Sequence, residues 1–441
     1  MTPEDWARER KVQFIAQEAL AGATDFPGSY GIDFGRLERR VPAFVLRPRS
    51  VDDLADCLCF LGAERLSYKL RGTAHTPGGE VLTESAVIDL TELTGIVADD
   101  PMTDEITVLG GTSWLAMWEH LQAQGRRPQT LTEHPRVTVA GSLTVGGIGD
   151  SSHLHGPQVA GVRRLLLVTP DGERHDVRPG HPLFDHALCG HGQLGALAEV
   201  TLASWRRPAI LTGVILEWDT LEAFLRDALL IMAERLYDYL RPRLRWRVGN
   251  RVSAICGNLD ETMWTTDPAR HRLRPAAASH IEQVDILKAA RQEVAGRFAA
   301  FGPCAEVVLP YPDGLETLRT LDRAVVTTGL WRRLPRGSAL MLVGGTSGLP
   351  LSPFQAPRCL VLALRPEPTT LADAHACQAL VRELAELALA GGGRLYLSSF
   401  PLRGDALERQ LGDGARSLAA LKTAVDPALL CNRGNLYGWE P

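Results

Sequence analysis

Thr138-Val139-Ala140-Gly141-Ser142-Leu143-Thr144-Val145-Gly146-Gly147-Ile148-Gly149 is the stretch on which the reading of this chain turns. Its glycines predict a segment too flexible for a packed helix. Val139, Leu143, Val145 and Ile148 are too apolar for a free surface loop. Bare backbone interleaved with apolar side chains suits close packing against a large flat ligand. Upstream, the strand-like run Leu66–Leu70 leads into Arg71-Gly72-Thr73-Ala74-His75-Thr76-Pro77-Gly78-Gly79. Small residues in a strand-to-loop turn let backbone N–H groups cradle a phosphate; the alternative is a tight loop with an incidental histidine. Downstream, Gly190-His191-Gly192-Gln193-Leu194-Gly195 has the spacing of a dinucleotide fingerprint. That fingerprint needs a strand before it and a helix after it. Here Pro182–Cys189 reads as helix and Ala196–Ser204 as strand, so a nicotinamide site is excluded.

Organisation follows the same local signals. Thr2-Pro3-Glu4-Asp5 is a helix start, with a helix predicted to about Leu20. Ser50-Val51-Asp52-Asp53 starts a second, and Ser113–Gln124 forms a third, with Gly125 just past its end. Val87–Leu90 and Ile106–Leu109 read as strands, and Arg163–Thr169 with Glu173–Val177 as a hairpin. Beyond Arg206 the texture predicts long helical stretches at Thr220–Leu240 and Ile281–Phe301, then a proline-rich region at 348–368. Arg394–Ser398 and Thr423–Asn435 return to strand and turn signals. An N-terminal α+β unit, an inserted second unit and a tail rejoining the first are expected.

The chain has 441 residues, 45% hydrophobic and 22% charged, enough for two or three soluble domains. A net charge of −5 gives no footprint for nucleic acid. The acidic start Met1–Asp5 predicts no secretory leader, and no apolar run reaches about 18 residues. A cytoplasmic protein without membrane contact is expected. Eight scattered cysteines predict reduced, mostly buried thiols. His153 and His155 lack a third metal ligand at suitable spacing, and the pairs Asp52-Asp53 and Asp99-Asp100 read as solvated.

Together these segments resemble the FAD-binding domain of the vanillyl-alcohol-oxidase/PCMH flavoproteins, and most closely cytokinin dehydrogenase. The family's RGRGHS segment is matched by Arg71–Thr76, which puts His75 at the position of covalent flavin attachment and Ala74 at a family glycine. Pro128–Glu133, then Thr138–Leu143 through His155-Gly156-Pro157-Gln158, keeps the family's register over about 30 residues. Val425-Asp426-Pro427 through Arg433-Gly434-Asn435 resembles the family's close, and Tyr396 falls on a flavin-contacting tyrosine. The resemblance implies an α+β fold: a PCMH-type two-subdomain FAD-binding domain (1–205, completed by 395–441) with an inserted α+β substrate, or cap, domain (206–394). It implies FAD contacts at Gly72, Thr73, Ala74, His75, Thr76, Glu80, Thr138, Gly141, Ser142, Thr144, Ile148, Leu197, Tyr396 and Asn435.

Glu133 stands where the family has its catalytic aspartate. The family's second acid has no evident counterpart, Arg241 of Asp238–Pro242 falling nearest. No cysteine occurs over 131–141, so a single linkage through His75 is expected. The implied activity is an FAD-dependent oxidase or dehydrogenase. It would take a hydride from a C–H beside an amine or hydroxyl of a small secondary-metabolite substrate, working as a monomer or homodimer. A non-redox cyclase of the [4+2] type on the same scaffold is the second class left open.

Overall fold

The computed structural model describes residues 1–20, 28–132, 134–206, 210–246, 251–258, 272–285 and 302–436. They build three sheets. The first is four-stranded, ordered β1-β2-β4-β3, from β1 (Gln13–Ala16), β2 (Phe44–Arg47), β3 (Tyr68–Arg71) and β4 (Ala86–Asp89). β2, β4 and β3 run parallel, and β1 is antiparallel to β2. The second contains β5 (Ile96–Asp100), β6 (Glu105–Leu109), β8 (Val162–Val168), β9 (Arg174–Val177) and β10 (Ala196–Arg206), with β7 (Arg126–Pro128) on β10. Its order is β5-β6-β10-β8-β9, antiparallel throughout.

The third sheet takes its eight strands from residues 210–395. They are β11 (Ile210–Trp218), β12 (Tyr239–Arg245), β13 (Arg251–Asn258), β14 (Ala277–Asp285), β15 (Ala305–Pro310), β16 (Ser338–Gly344), β17 (Arg358–Leu364) and β18 (Arg394–Leu395). The order is β14-β11-β13-β12-β16-β17-β15-β18.

Local signals explain much of this. Ser50 and Asp53 form a reciprocal capping box at the start of helix Val51–Ala63. Ser113 caps helix Trp114–Gln122, which drives Trp114 and Trp118 into the main core. The hairpin β8–β9 turns at Gly172, whose φ is 84°. Helix Pro182–Ala187 precedes β10, the order that excluded a nicotinamide site. All eight cysteines are free thiols, and only Cys59 is exposed. Among the described residues no helix is long and apolar enough to cross a membrane.

Several expectations are corrected. The first helix stops at Arg10 because Lys11 turns left-handed (φ 58°), and Phe14 then stacks on Phe44 across β1–β2. Glycines do not keep 138–149 from helix: Val139–Leu143 forms one, capped by Thr138, with Val139, Ala140 and Leu143 buried. Burial of one apolar face there outweighs the propensity cost of one glycine. The helix expected at Thr220–Leu240 ends at Glu234, since Arg235 is left-handed and Tyr239 begins β12. Residues 281–285 belong to strand β14, and the rest of that expected helix lies outside the described residues. Thr423 closes helix Asp413–Val425 rather than opening a strand. Asp99 is not solvated: it bonds buried Arg126 at 2.5 Å and His120 at 2.9 Å.

The segment after that last helix returns to the first sheet. Tyr68 N–H donates to Leu430 O and Asn432 N–H to Tyr68 O, extending the sheet beyond β3. Buried Lys422 pairs with Asp426 at 2.7 Å and donates to Gln193 O and Cys431 O, anchoring the tail to the turn before β10.

Candidate functional site

The three sheets meet at a cavity of about 1520 Å³, part of it open to solvent. Every cofactor-contact candidate named from the sequence lines it, from Gly72 to Asn435. Glu133, the candidate base, lies outside the described residues, between the lining residues Thr132 and His134.

Backbone dominates the floor. Gly72 and Gly141 both press on the Thr138 hydroxyl: a Cβ on either would come within 2.6 Å of its Oγ1. Thr138 Oγ1 in turn accepts the Gly141 N–H at 3.2 Å. Ser142 Oγ accepts the Trp114 indole N–H at 2.6 Å, and Thr144 donates to Gly141 O at 2.9 Å. Gly147 combines φ 61° with a Cβ position already filled by Gln158, so only glycine fits. Its N–H donates to the Tyr396 hydroxyl at 2.8 Å, tying the floor to the third sheet. Ile148 and Tyr396 share an apolar cluster with Phe354 and Val343.

Ala74 holds a left-handed φ of 58° while buried, the conformation a family glycine would adopt without steric cost. Beside it, His75 Nδ1 lies 3.2 Å from Thr73 O and 3.1 Å from Thr73 Oγ1. The ring stacks on Phe34 (5.7 Å, 19°), with His134 at 5.8 Å. Burial, then the neighbouring His134, pushes its pKa down to about 4, so it is neutral at physiological pH. Asp33 staples the segment carrying Phe34 to this loop by accepting N–H bonds from Gly35, Arg36 and Gly79. Burial lifts its carboxyl to about 6.

Glu80 faces His191 Nδ1 at 3.0 Å, both nearly buried. A clasp completes that end. Asn432 accepts the Leu70 N–H at 2.8 Å and donates to His191 O and Gly192 O at 3.1 Å each. Gly192 sits against it at φ 67°, where a Cβ would stand 2.4 Å from Asn432 Nδ2. Asn435 Oδ1 accepts from buried Lys69 at 2.5 Å, and Leu197 closes the floor at the start of β10.

The third sheet supplies a side-chain wall that the sequence reading missed. Glu306 on β15 is buried and ion-paired to Arg365, just past β17. Met341, Ser398 and Ser399 line the same side. The available signal was one acid inside the apolar strand Ala305–Pro310 and one arginine ending another, Arg358–Leu364. Phe34 and His134 were missed as well. Arg241, set against the family's second acid, is not in the cavity lining. It forks onto Asp150 at 3.0 and 2.8 Å, locking β12 to the loop after Gly149. His153 likewise donates to Tyr237 O at 2.7 Å.

The lining fits a flavin dinucleotide. Thr76 Oγ1 is buried with no hydrogen-bond partner, a polar atom awaiting a ligand. The floor offers glycine-lined backbone of the kind that approaches phosphates closely.

A family model for an FAD binding domain matches residues 42–178. The chain is 30% identical over 220 residues to an uncharacterized oxidoreductase of the fasciation locus of Rhodococcoides fascians, covering 49% of this chain and 50% of that protein. It is 27% identical over 219 residues to cytokinin dehydrogenase 3 of Oryza sativa subsp. japonica, covering 47% and 42%. With cytokinin dehydrogenase 4 of Arabidopsis thaliana the identity is 26% over 339 residues, covering 68% and 62%. The chain therefore spans about half the length of the curated relatives it matches. Motif, cavity and relatives agree: the chain carries an FAD-binding domain over residues 42–178 and is similar to cytokinin dehydrogenases.

Proposed function

We propose that the protein is an FAD-dependent oxidoreductase that takes a hydride from a C–H beside an amine or hydroxyl of a small organic substrate. The observation that carries this is the single cavity joining the glycine floor to the Glu306–Arg365 wall. Bound FAD supplies the two-electron acceptor. Gly72–Thr76, Thr138–Thr144 and the Asn432 clasp hold the dinucleotide, and neutral His75 has the lone pair that a covalent tether requires. Glu133 takes the substrate N–H or O–H proton as the neighbouring C–H is cleaved, a role worth roughly 10²–10⁴ in rate. Residues 206–394 act as the cap that selects the substrate, and 395–441 complete the FAD-binding domain.

Anaerobic addition of a panel of secondary amines and alcohols tests the reading. Substrates should bleach the visible flavin band and appear as the dehydrogenated product. A turned-over substrate that leaves the flavin unbleached and yields an isomer of itself would instead establish the non-redox cyclase.

A further inference from the structure

Among the described residues, two acids line the cavity, Glu80 and Glu306. Glu80 is taken up by His191, beside the Asn432 clasp. Glu306 is placed differently. It sits in β15, a strand paired on both sides, by β17 and β18. Alternation along that strand sends Ala305, Val307 and Leu309 into the main core. Glu306 and Val308 take the other face, where Val308 joins the cluster of Ile148 and Tyr396. The Glu306 N–H donates to Ser399 Oγ at 3.0 Å, and its carbonyl accepts the Tyr396 N–H at 2.9 Å. Its Oε1 accepts from Arg365, which has a further partner as well. Arg365 thus positions the acid. No described residue donates to Glu306 Oε2, although the side chain is only 5% exposed and lines the cavity. A nearly buried carboxylate oxygen without a donor is costly until a ligand supplies one. Because Arg365 offsets the negative charge, the donor that fits is neutral; an ammonium would meet the guanidinium's repulsion.

We propose that Glu306 is the specificity-determining residue of the wall: its Oε2 accepts a hydrogen bond from a neutral N–H or O–H of the substrate. That donor is separate from the group Glu133 deprotonates. The substrate is then a small molecule with two donors and an apolar body, which suits the neighbouring Met341 and Ile148. This rests on the oxidoreductase reading above and deepens it. A hydrogen bond to a charged acceptor in a partly desolvated setting is stronger than one between neutral groups. Methylating the donor removes it.

The test is calorimetric titration of the purified holoprotein, its FAD content measured first, with pairs that differ by one methyl group. Indole is set beside N-methylindole, 2-pyrrolidone beside N-methyl-2-pyrrolidone, and phenol beside anisole. At least one donor should bind about tenfold or more tighter than its methylated partner. In Glu306→Gln the amide oxygen turns to Arg365 and the amide N–H2 toward the cavity, so the preference should vanish or reverse. Glu306→Asp keeps the ion pair and should weaken the preference without abolishing it; it decides the matter if Glu306→Gln fails to fold. Absence of any donor preference in the wild type, or its persistence unchanged in the variants, overturns the proposal, since a purely steric effect of the methyl group would survive both. A preparation that binds no FAD overturns the oxidoreductase reading instead.

Discussion

The two sides of the cavity are made from different material. Its floor, from 70–80, 138–149 and 191–197, is mostly backbone brought close by glycines and small hydroxyl residues. Its third-sheet wall is mostly side chain, with Glu306, Met341 and Arg365 drawn from three strands or their ends. A backbone surface recognises what every FAD shares, whereas a side-chain surface can change with the substrate and leave the floor intact. Floor substitutions should therefore cost cofactor or fold, and wall substitutions should cost substrate alone.

The sharpest way to break this contrast is His75→Ala. Wild-type protein precipitated in acid should keep its yellow colour and the variant should lose all of it; colour released freely from wild type removes the tether. Glu133→Gln should lower turnover about 10²–10⁴-fold with FAD still bound. Unchanged steady-state rates would take Glu133 out of the mechanism. Asn432→Leu should follow, leaving the Leu70 N–H and two turn carbonyls without their buried partner. The cost should be about 2–4 kcal/mol in denaturant unfolding, together with weaker FAD retention. If FAD retention is untouched, the clasp serves stability only.

Acidity separates smaller contributions. His75 and His153 are held near 4 in the fold by burial, below their usual value of 6.5. The unfolded chain thus binds more protons between 6.5 and 4, and stability falls as pH drops through that window, by up to about 3 kcal/mol per group. Asp33, lifted from 3.8 to about 6, acts in the opposite sense. Between 3.8 and 6 the native state holds the extra proton, so its contribution grows as pH falls and is lost as pH rises toward 6. Thermal melts of the FAD-free protein at pH 7 and 4.5 should show a net drop. His153→Gln should flatten it and Asp33→Asn should steepen it. The smallest effect belongs to Ala74→Gly. Relief of the left-handed strain and the added chain entropy nearly cancel, so melting should shift by about 1 kcal/mol or less.

The contrast also explains what could be read from the sequence. Arg71–Gly79, Thr138–Gly149 and Gly190–Gly195 are contiguous, and their glycine spacing survives without knowledge of the fold, so the floor was legible. The wall was not, because Glu306 and Arg365 are 59 residues apart and meet only through the β15–β17 pairing. The helices expected around Leu240 and Ile281 failed for a related reason. β12 and β14 carry Tyr239, Leu240 and Ile281 opposite Gly257, Cys256 and Gly213, and short apolar runs do not separate strand from helix without knowledge of such partners. Within the floor, the short helix Val139–Leu143 was hidden by its own glycine.

The Asn432 clasp has a consequence for biosynthesis. It joins Leu70 and Gly192 to a residue made 362 positions after Leu70. A chain still on the ribosome can complete the first two sheets but leaves the end of the floor beside Gly192 unfilled. Flavin loading would then be a late event that waits until Asn432 has been made, and a product cut short before Asn432 would have to emerge colourless.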